Sequence, residues 1–222
     1  MRHSYNLTFF HLKKYYTGSV KKQVLKKPSL SLLLEEKDKY LSKQELINFV
    51  ELKDNRRHDY LAGRHTLKQL FVASVGRSVK MTDFSISYDN YKPIIYHLGQ
   101  KYYCSISHTN THVACIFDEF SRVGIDVEVL RPRVKEFQDY IVSDFEINFF
   151  EQQESFVATK VWSIKEAAFK SDSNEVPLEE YSILTRKNDL FLVINKQTKS
   201  EIYVKNQMID NYTISYTIPS IV

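Results

Sequence analysis

Three carboxylates and two lysines in two short stretches have the types and spacing for ionic chemistry. In Gly124-Ile125-Asp126-Val127-Glu128, the two-residue period of a strand puts Asp126 and Glu128 on one face and Val127 on the other. Carboxylates so placed repel. The arrangement is tolerable at a solvated edge or with a cation between them, and hard oxygens favour Mg²⁺ or Mn²⁺ over softer metals. In Trp162-Ser163-Ile164-Lys165-Glu166-Ala167-Ala168-Phe169-Lys170, helical spacing places Glu166 and Lys170 on one face with Trp162. Each stretch alone also fits a bland account. Glu166 and Lys170 would then be a surface pair worth about 0.3–0.5 kcal/mol, and Asp126 and Glu128 would solvate a strand end. Together they make a metal-dependent phosphate site the leading reading.

The elements that must position these residues read as alternating strands and helices. Residues 5–12 read as a first strand, and 42–53 as a helix opened by Ser42 as N-cap with Glu45 at the capping-box position. Residues 57–74 form a stronger helix, because Leu61, Leu67, Leu70 and Phe71 recur at helical spacing and leave Arg64 and Lys68 on another face. Strands over 83–88 and 94–97 flank an Asp89-Asn90-Tyr91-Lys92-Pro93 turn, and 102–107 and 112–118 pair around His108-Thr109-Asn110-Thr111. A strand at 123–129 carries the first motif, 133–153 is partly helical, and 155–170 is the motif helix. Residues 181–185, 189–195, 200–205 and 211–217 read as closing strands. No repeat is visible in the residues themselves.

The two stretches, in this order, resemble the signature pair of the 4′-phosphopantetheinyl transferases, specifically the monomeric surfactin-synthetase-activating type. That pattern is a G-[IV]-D-[IV]-E strand followed by a W-[ST]-x-K-E-[AS]-x-x-K helix, and both match without a gap. Weaker matches surround them: Arg64 in Tyr60-Leu61-Ala62-Gly63-Arg64-His65-Thr66-Leu67, then Lys92-Pro93, Ser105-Ile106-Ser107-His108, and Ser143-Asp144-Phe145-Glu146. The resemblance covers residues 40 to 185. It implies an α/β (α+β) fold of two similar α/β halves related by a pseudo-twofold axis, with the active site at their junction. Residues 1–118 would form the coenzyme A nucleotide side and 119–222 the metal and catalytic side.

The resemblance further implies transfer of 4′-phosphopantetheine from coenzyme A to a serine of an acyl, peptidyl or aryl carrier protein, releasing adenosine 3′,5′-bisphosphate. Asp126, Glu128 and Glu166 would hold Mg²⁺, with Mn²⁺ as an alternative. Arg64, Lys92, Pro93, Ser107, His108, Asp126 and Lys170 would border coenzyme A, with His108 on the 3′-phosphate and Ser107 near the pyrophosphate. Glu146, Glu166 and Lys170 are the catalytic candidates, and the choice of general base among them stays open. The carrier would dock near residues 131–160, where Phe145, Ile147, Phe149 and Phe150 serve equally as interface or core. Departures from the family pattern fall at Ser171-Asp172-Ser173-Asn174-Glu175, in place of a glycine-rich turn, and at Tyr91, Ser105 and Asn110. Asn110 tolerates the left-handed backbone that a glycine would supply there. Two rivals remain: a catalytically silent carrier-protein or coenzyme A binding module, and a Mg²⁺-dependent nucleotide hydrolase. Retention of Asp126 and Glu166 speaks against the first, and the absence of a glycine-rich phosphate cradle against the second.

Composition agrees. The 222 residues are 43% hydrophobic, enough for a sizeable core. The formal charge of +4 is unevenly spread, with Lys13, Lys14, Lys21, Lys22, Lys26 and Lys27 ahead of the first acid. These lysines form a solvated face or attract an anionic partner. Nucleic acid ranks lower, because no helix-turn-helix, RNP-like or zinc-ligand spacing accompanies them. The apolar run Leu30 to Leu34 is far short of a membrane span, and residues 1–30 lack the apolar core of a secretory signal. The cytoplasm is the default expectation, and the resemblance implies a monomer. Cys104 and Cys115 read as reduced core residues.

Overall fold

The computed structural model describes residues 20–76, 79–150, 156–174 and 176–219. The strand expected at 5–12, together with Lys13 and Lys14, lies outside the described residues. Strand β1 (Lys21–Lys26) is followed by helices α1 (Leu30–Tyr40), α2 (Lys43–Val50) and α3 (Asp54–Val75). Strands β2 (Ile86–Asp89), β3 (Lys92–His97), β4 (Gln100–His108) and β5 (His112–Asp118) come next. The plan then repeats. Strand β6 (Ile125–Val129) leads to α4 (Lys135–Ile141), α5 (Asp144–Ile147) and α6 (Val157–Ser171). Strands β7 (Tyr181–Lys187), β8 (Leu190–Asn195), β9 (Glu201–Ile209) and β10 (Tyr212–Ile218) complete it. Each half forms a five-stranded antiparallel sheet, in the orders β1-β5-β4-β3-β2 and β6-β10-β9-β8-β7. This is an α+β fold of two similar halves.

The same buried ion pair braces each half. In the first, Ser42 caps α2 in a box with Glu45, as the S-x-x-E spacing predicts. Glu45 then accepts the Ile86 N–H at 3.0 Å and pairs with Lys68 of α3, which also donates to the Tyr40 carbonyl at 2.9 Å. In the second, Ser143 caps α5 in a box with Glu146. Glu146 accepts the Ile183 N–H at 2.8 Å and pairs with Lys165 of α6 at 3.0 Å, and Lys165 donates to the Ile141 carbonyl at 2.7 Å. A buried carboxylate and ammonium persist because each has its partners. The repeat is spatial: an acid on a short helix, a lysine on the long helix, and a strand N–H.

The halves join where β4 runs beside β6. β6 is an edge strand, so its outward N–H groups need acceptors. Ser105 Oγ accepts from Ile125 N–H at 3.2 Å, and Ser107 Oγ from Val127 N–H at 3.3 Å. Alternate residues of one strand therefore serve alternate N–H groups of the other.

Among the described glycines, Gly124 permits the closest approach, that of helix α6 to the start of β6. A Cβ on Gly124 would lie 1.9 Å from the Ala167 carbonyl oxygen, a backbone atom that cannot swing away.

Two elements escaped the sequence reading. In β1, Lys-Lys-Gln-Val-Leu-Lys buries only Gln23, so no apolar alternation marks it, and its strand state comes from pairing with β5. In α1, Ser29 is the N-cap, its hydroxyl accepting the Leu32 N–H at 3.3 Å, and Leu33 and Tyr40 supply the buried face. Asn110 is not among the residues with positive φ. Tyr91 is, at φ 61° beside Asn90 at 49°, so the β2–β3 hairpin turn carries tyrosine in a conformation that favours glycine. The thiols of Cys104 and Cys115 are free and buried on adjacent strands. Gly124→Ala is expected to destabilise the fold by about 2 kcal/mol or more, the scale of overpacking a dense core. Thermal unfolding of the purified variant checks this, and an unchanged melting temperature contradicts the close approach.

Candidate functional site

A cleft of about 1050 Å³ lies between the halves. Its walls come from α3 (Arg56, Asp59, Tyr60, Arg64), the β2–β3 hairpin (Tyr88, Tyr91, Lys92, Pro93), the end of β4 (His108) and α6 (Glu166, Phe169, Lys170).

On the acidic side, Asp126 is buried on β6. Its Oδ1 accepts from Ser107 Oγ at 2.9 Å and from Lys170 Nζ at 2.7 Å. Lys170 also donates to the Ile125 carbonyl at 3.2 Å and lies 3.6 Å from Glu166 Oε2. Burial works against its charge, but Asp126, Glu166 and Glu128 together hold the Lys170 pKa above the ordinary value. Burial, reinforced by Asp126 and Glu128, pushes Glu166 up against the pull of Lys170. Glu128 is likewise raised by burial and then by Asp126, opposed by Arg133, Lys170 and Arg131. Arg133 pairs with Glu128 at 3.0 Å.

Among the described residues, no three His, Cys, Asp or Glu side chains converge as a ready set of metal ligands. Lys170 stands between Asp126 and Glu166, and Arg133 engages Glu128. One atom departs from this pairing: Asp126 Oδ2 is buried without a hydrogen-bond partner. An orphaned carboxylate oxygen, beside two acids whose ionised forms are disfavoured, is a donor set that suits a hard divalent cation.

On the cationic side, Arg64 is buried with its guanidinium 3.4 Å from the Tyr60 ring centroid, and it donates to Tyr88 Oη at 3.4 Å. Glu45 Oε1 lies 3.6 Å away. Lys92 reaches across the junction and donates to the Phe169 carbonyl at 2.7 Å and the Lys170 carbonyl at 3.3 Å, the electronegative end of α6. His108 Nδ1 sits 3.5 Å from Asp59 Oδ2.

The structure therefore brings Arg64, Lys92, Pro93, His108, Glu166 and Lys170 to one cleft, with Asp126 directly behind Lys170. It places three candidates elsewhere. Glu128 does not line the cleft and is engaged by Arg133. Glu146 is almost fully buried, and its oxygens already take the Ser143 N–H at 2.9 Å, the Ser143 hydroxyl at 3.0 Å, Lys165 and the Ile183 N–H. It is the counterpart of Glu45, a brace with no free oxygen for a substrate proton. Ser107 is not among the residues lining the cleft. Its hydroxyl joins Val127 to Asp126, so it orients the carboxylate from behind. Asp59, Tyr60, Tyr88 and Arg133 were missed from sequence. Tyr60 and Arg64 stand four apart on α3, the spacing at which an aromatic ring and a guanidinium stack, and that was the available signal. The 171–174 segment needs no glycine. Asp172 Oδ1 accepts the Asn174 N–H at 3.0 Å and side-chain amide at 2.9 Å, while Oδ2 accepts from Tyr181 at 3.0 Å and Asn195 at 2.8 Å.

Residues 122–217 match the family model of the 4′-phosphopantetheinyl transferase superfamily. That span contains Asp126, Glu128, Glu166 and Lys170, while Arg64, Lys92 and His108 precede it. No curated protein sequence matches the chain. The superfamily match thus covers the half that carries every acid of the cluster, and the cationic wall is contributed by the half before it.

Glu146, buried, and Glu166, partly buried on the cleft wall, should respond oppositely to neutralisation. Glu146→Gln strips Lys165 of its partner and is expected to cost about 3–5 kcal/mol. A carboxyl pKa raised by folding means that the ionised form is disfavoured in the fold at neutral pH. Glu166→Gln should therefore leave stability unchanged or raise it by up to about 1 kcal/mol. Urea denaturation of both variants at neutral pH measures the difference.

Proposed function

We propose that this protein transfers 4′-phosphopantetheine from coenzyme A to a carrier-protein serine in a Mg²⁺-dependent reaction. The single observation that carries the proposal is the meeting, in one interhalf cleft, of Glu166 and Lys170, which lie in the span that matches the superfamily, with Arg64, Lys92 and His108. A ligand holding a pyrophosphate and a further phosphate needs several fixed cations at separate points of a long cleft, and these residues supply them. Mg²⁺ would be held by Asp126 and Glu166, with Glu128 joining on release from Arg133, and when bound it neutralises pyrophosphate charge.

Lys170 is the pivot of the chain's own chemistry. Its ammonium, held protonated by the surrounding acids, faces the cleft as a preorganised charge for the leaving phosphate. Glu166 is a partly buried carboxylate on the cleft wall, and so the better placed base for the carrier serine than the enclosed Glu146. Ser107 and Lys170 fix Asp126 Oδ1 and leave Oδ2 for a ligand. Phe145 and Ile147 are 56% and 43% exposed whereas Phe150 is 7%, so the first two supply an apolar docking surface for the carrier and the last belongs to the core. Among the described residues no helix is long and apolar enough to cross a membrane.

Intact mass of an apo-carrier protein incubated with this protein, coenzyme A and Mg²⁺ tests the proposal. A phosphopantetheine adduct is expected, abolished by a chelator and by Glu166→Ala. Its absence on carriers from several pathways, with coenzyme A still bound, would favour a silent binding module instead. Lys170→Met should slow transfer by about 10²–10³-fold, the usual cost of one preorganised charge. Phe145→Glu should raise the KM for carrier and leave that for coenzyme A unchanged.

A further inference from the structure

We propose that Asp59 is the positioning residue of His108, anchored by Lys27 so that the imidazole turns Nδ1 to the carboxylate and Nε2 to the cleft. Three elements converge here. Asp59 lies on α3, Lys27 directly follows β1, and His108 ends β4. The two oxygens of Asp59 are divided between partners: Oδ1 pairs with the buried Lys27 ammonium and Oδ2 faces His108 Nδ1 at 3.5 Å. The Lys27 backbone N–H donates to the Thr111 carbonyl at 2.8 Å, tying the anchor to the turn that His108 enters.

A lone carboxylate in a cleft lined by Arg56, Arg64, Lys92 and Lys170 would repel an anionic ligand. Pairing with Lys27 cancels that charge and leaves Asp59 an orienting acceptor. An imidazole whose Nδ1–H is directed at a carboxylate presents Nε2 as an acceptor when neutral and as a charged donor once protonated. Every charged group facing the ring bears on which form prevails. Burial disfavours the imidazolium, Lys27, Lys170 and Arg56 act in the same direction, and Asp59 alone opposes them. These influences favour the neutral ring in the free cleft, and a phosphate dianion settling beside it favours the protonated one. The identity of that phosphate as part of coenzyme A rests on the transferase reading; the orientation of the ring does not.

Long-range ¹H–¹⁵N NMR of the imidazoles in the full chain, titrated with pH, tests the proposal, with Asp59→Asn and Asp59→Glu compared and His108→Gln assigning the resonance. The wild type should show the Nδ1–H tautomer. Asp59→Asn should lose that preference and titrate at lower pH, Asp59→Glu should restore both, and coenzyme A affinity near neutral pH should fall about fivefold to tenfold in the asparagine variant. An unchanged tautomer and midpoint in Asp59→Asn overturns the proposal. Should the wild-type tautomer and its loss appear as expected while coenzyme A leaves every resonance unmoved, the positioning role stands and the transferase reading falls.

Discussion

Edge strand β6 has N–H groups that no neighbouring strand can satisfy, and the hydroxyls of Ser105 and Ser107 on β4 meet them. Those two hydrogen bonds set the register of one half against the other. A slip along the strands would leave buried N–H groups unpaired, at about 1–3 kcal/mol each. The register also determines the site, because the Ser107 hydroxyl that accepts from Val127 donates to Asp126. Fold closure and carboxylate orientation thus share an atom. Gly124 adds the second constraint, bringing α6 close enough for Lys170 to reach the same carboxylate.

The duplicated framework shows which features are architectural and which chemical. Both halves carry the Ser-capped glutamate, the long-helix lysine and the strand N–H, so these hold the fold. What differs is informative. Counted from the lysines of the brace, Glu166 and Lys170 on α6 correspond to Gln69 and Ala73 on α3, and Arg64 corresponds to Val161. Counted from the residues pairing with the first positions of β5 and β10, Asp126 corresponds to Gln23. One half has Asp126, Glu128 and Glu166 and the other Arg64, so this charged pairing arises once, where they face each other. A site built in this way depends on both halves.

How much was legible in the sequence follows from the range of the interactions involved. The motif strand and helix, the α2 capping box and the β5 strand were readable because local periodicity and neighbouring side chains determine them. β1 was not, since its lysines show no alternation and its strand state comes from pairing with residues far along the chain. Arg64, Lys92, His108, Glu166 and Lys170 are named by local motifs and meet in the cleft, whereas Glu146 is a candidate on the same ground because its motif is local and its Lys165 and Ile183 partners are not. Ser107 reads from sequence as a residue near the pyrophosphate, and its hydrogen bonds to β6 were not legible, since a hydroxyl facing a second strand cannot be told from one facing solvent. Asp59 and Lys27 left no signal, being brought together by α3 and β1 packing on one sheet.

On the proposed function, the acids behind Lys170 and the cations across the cleft form one site for a divalent ion and a pyrophosphate. Electron paramagnetic resonance of Mn²⁺ added to the full protein, with and without coenzyme A, tests it most directly. Weak Mn²⁺ binding by the protein alone is expected, with a large gain on adding coenzyme A and loss of that gain in Asp126→Asn. A spectrum indifferent to coenzyme A, or unaltered by the Asp126 substitution, would contradict it.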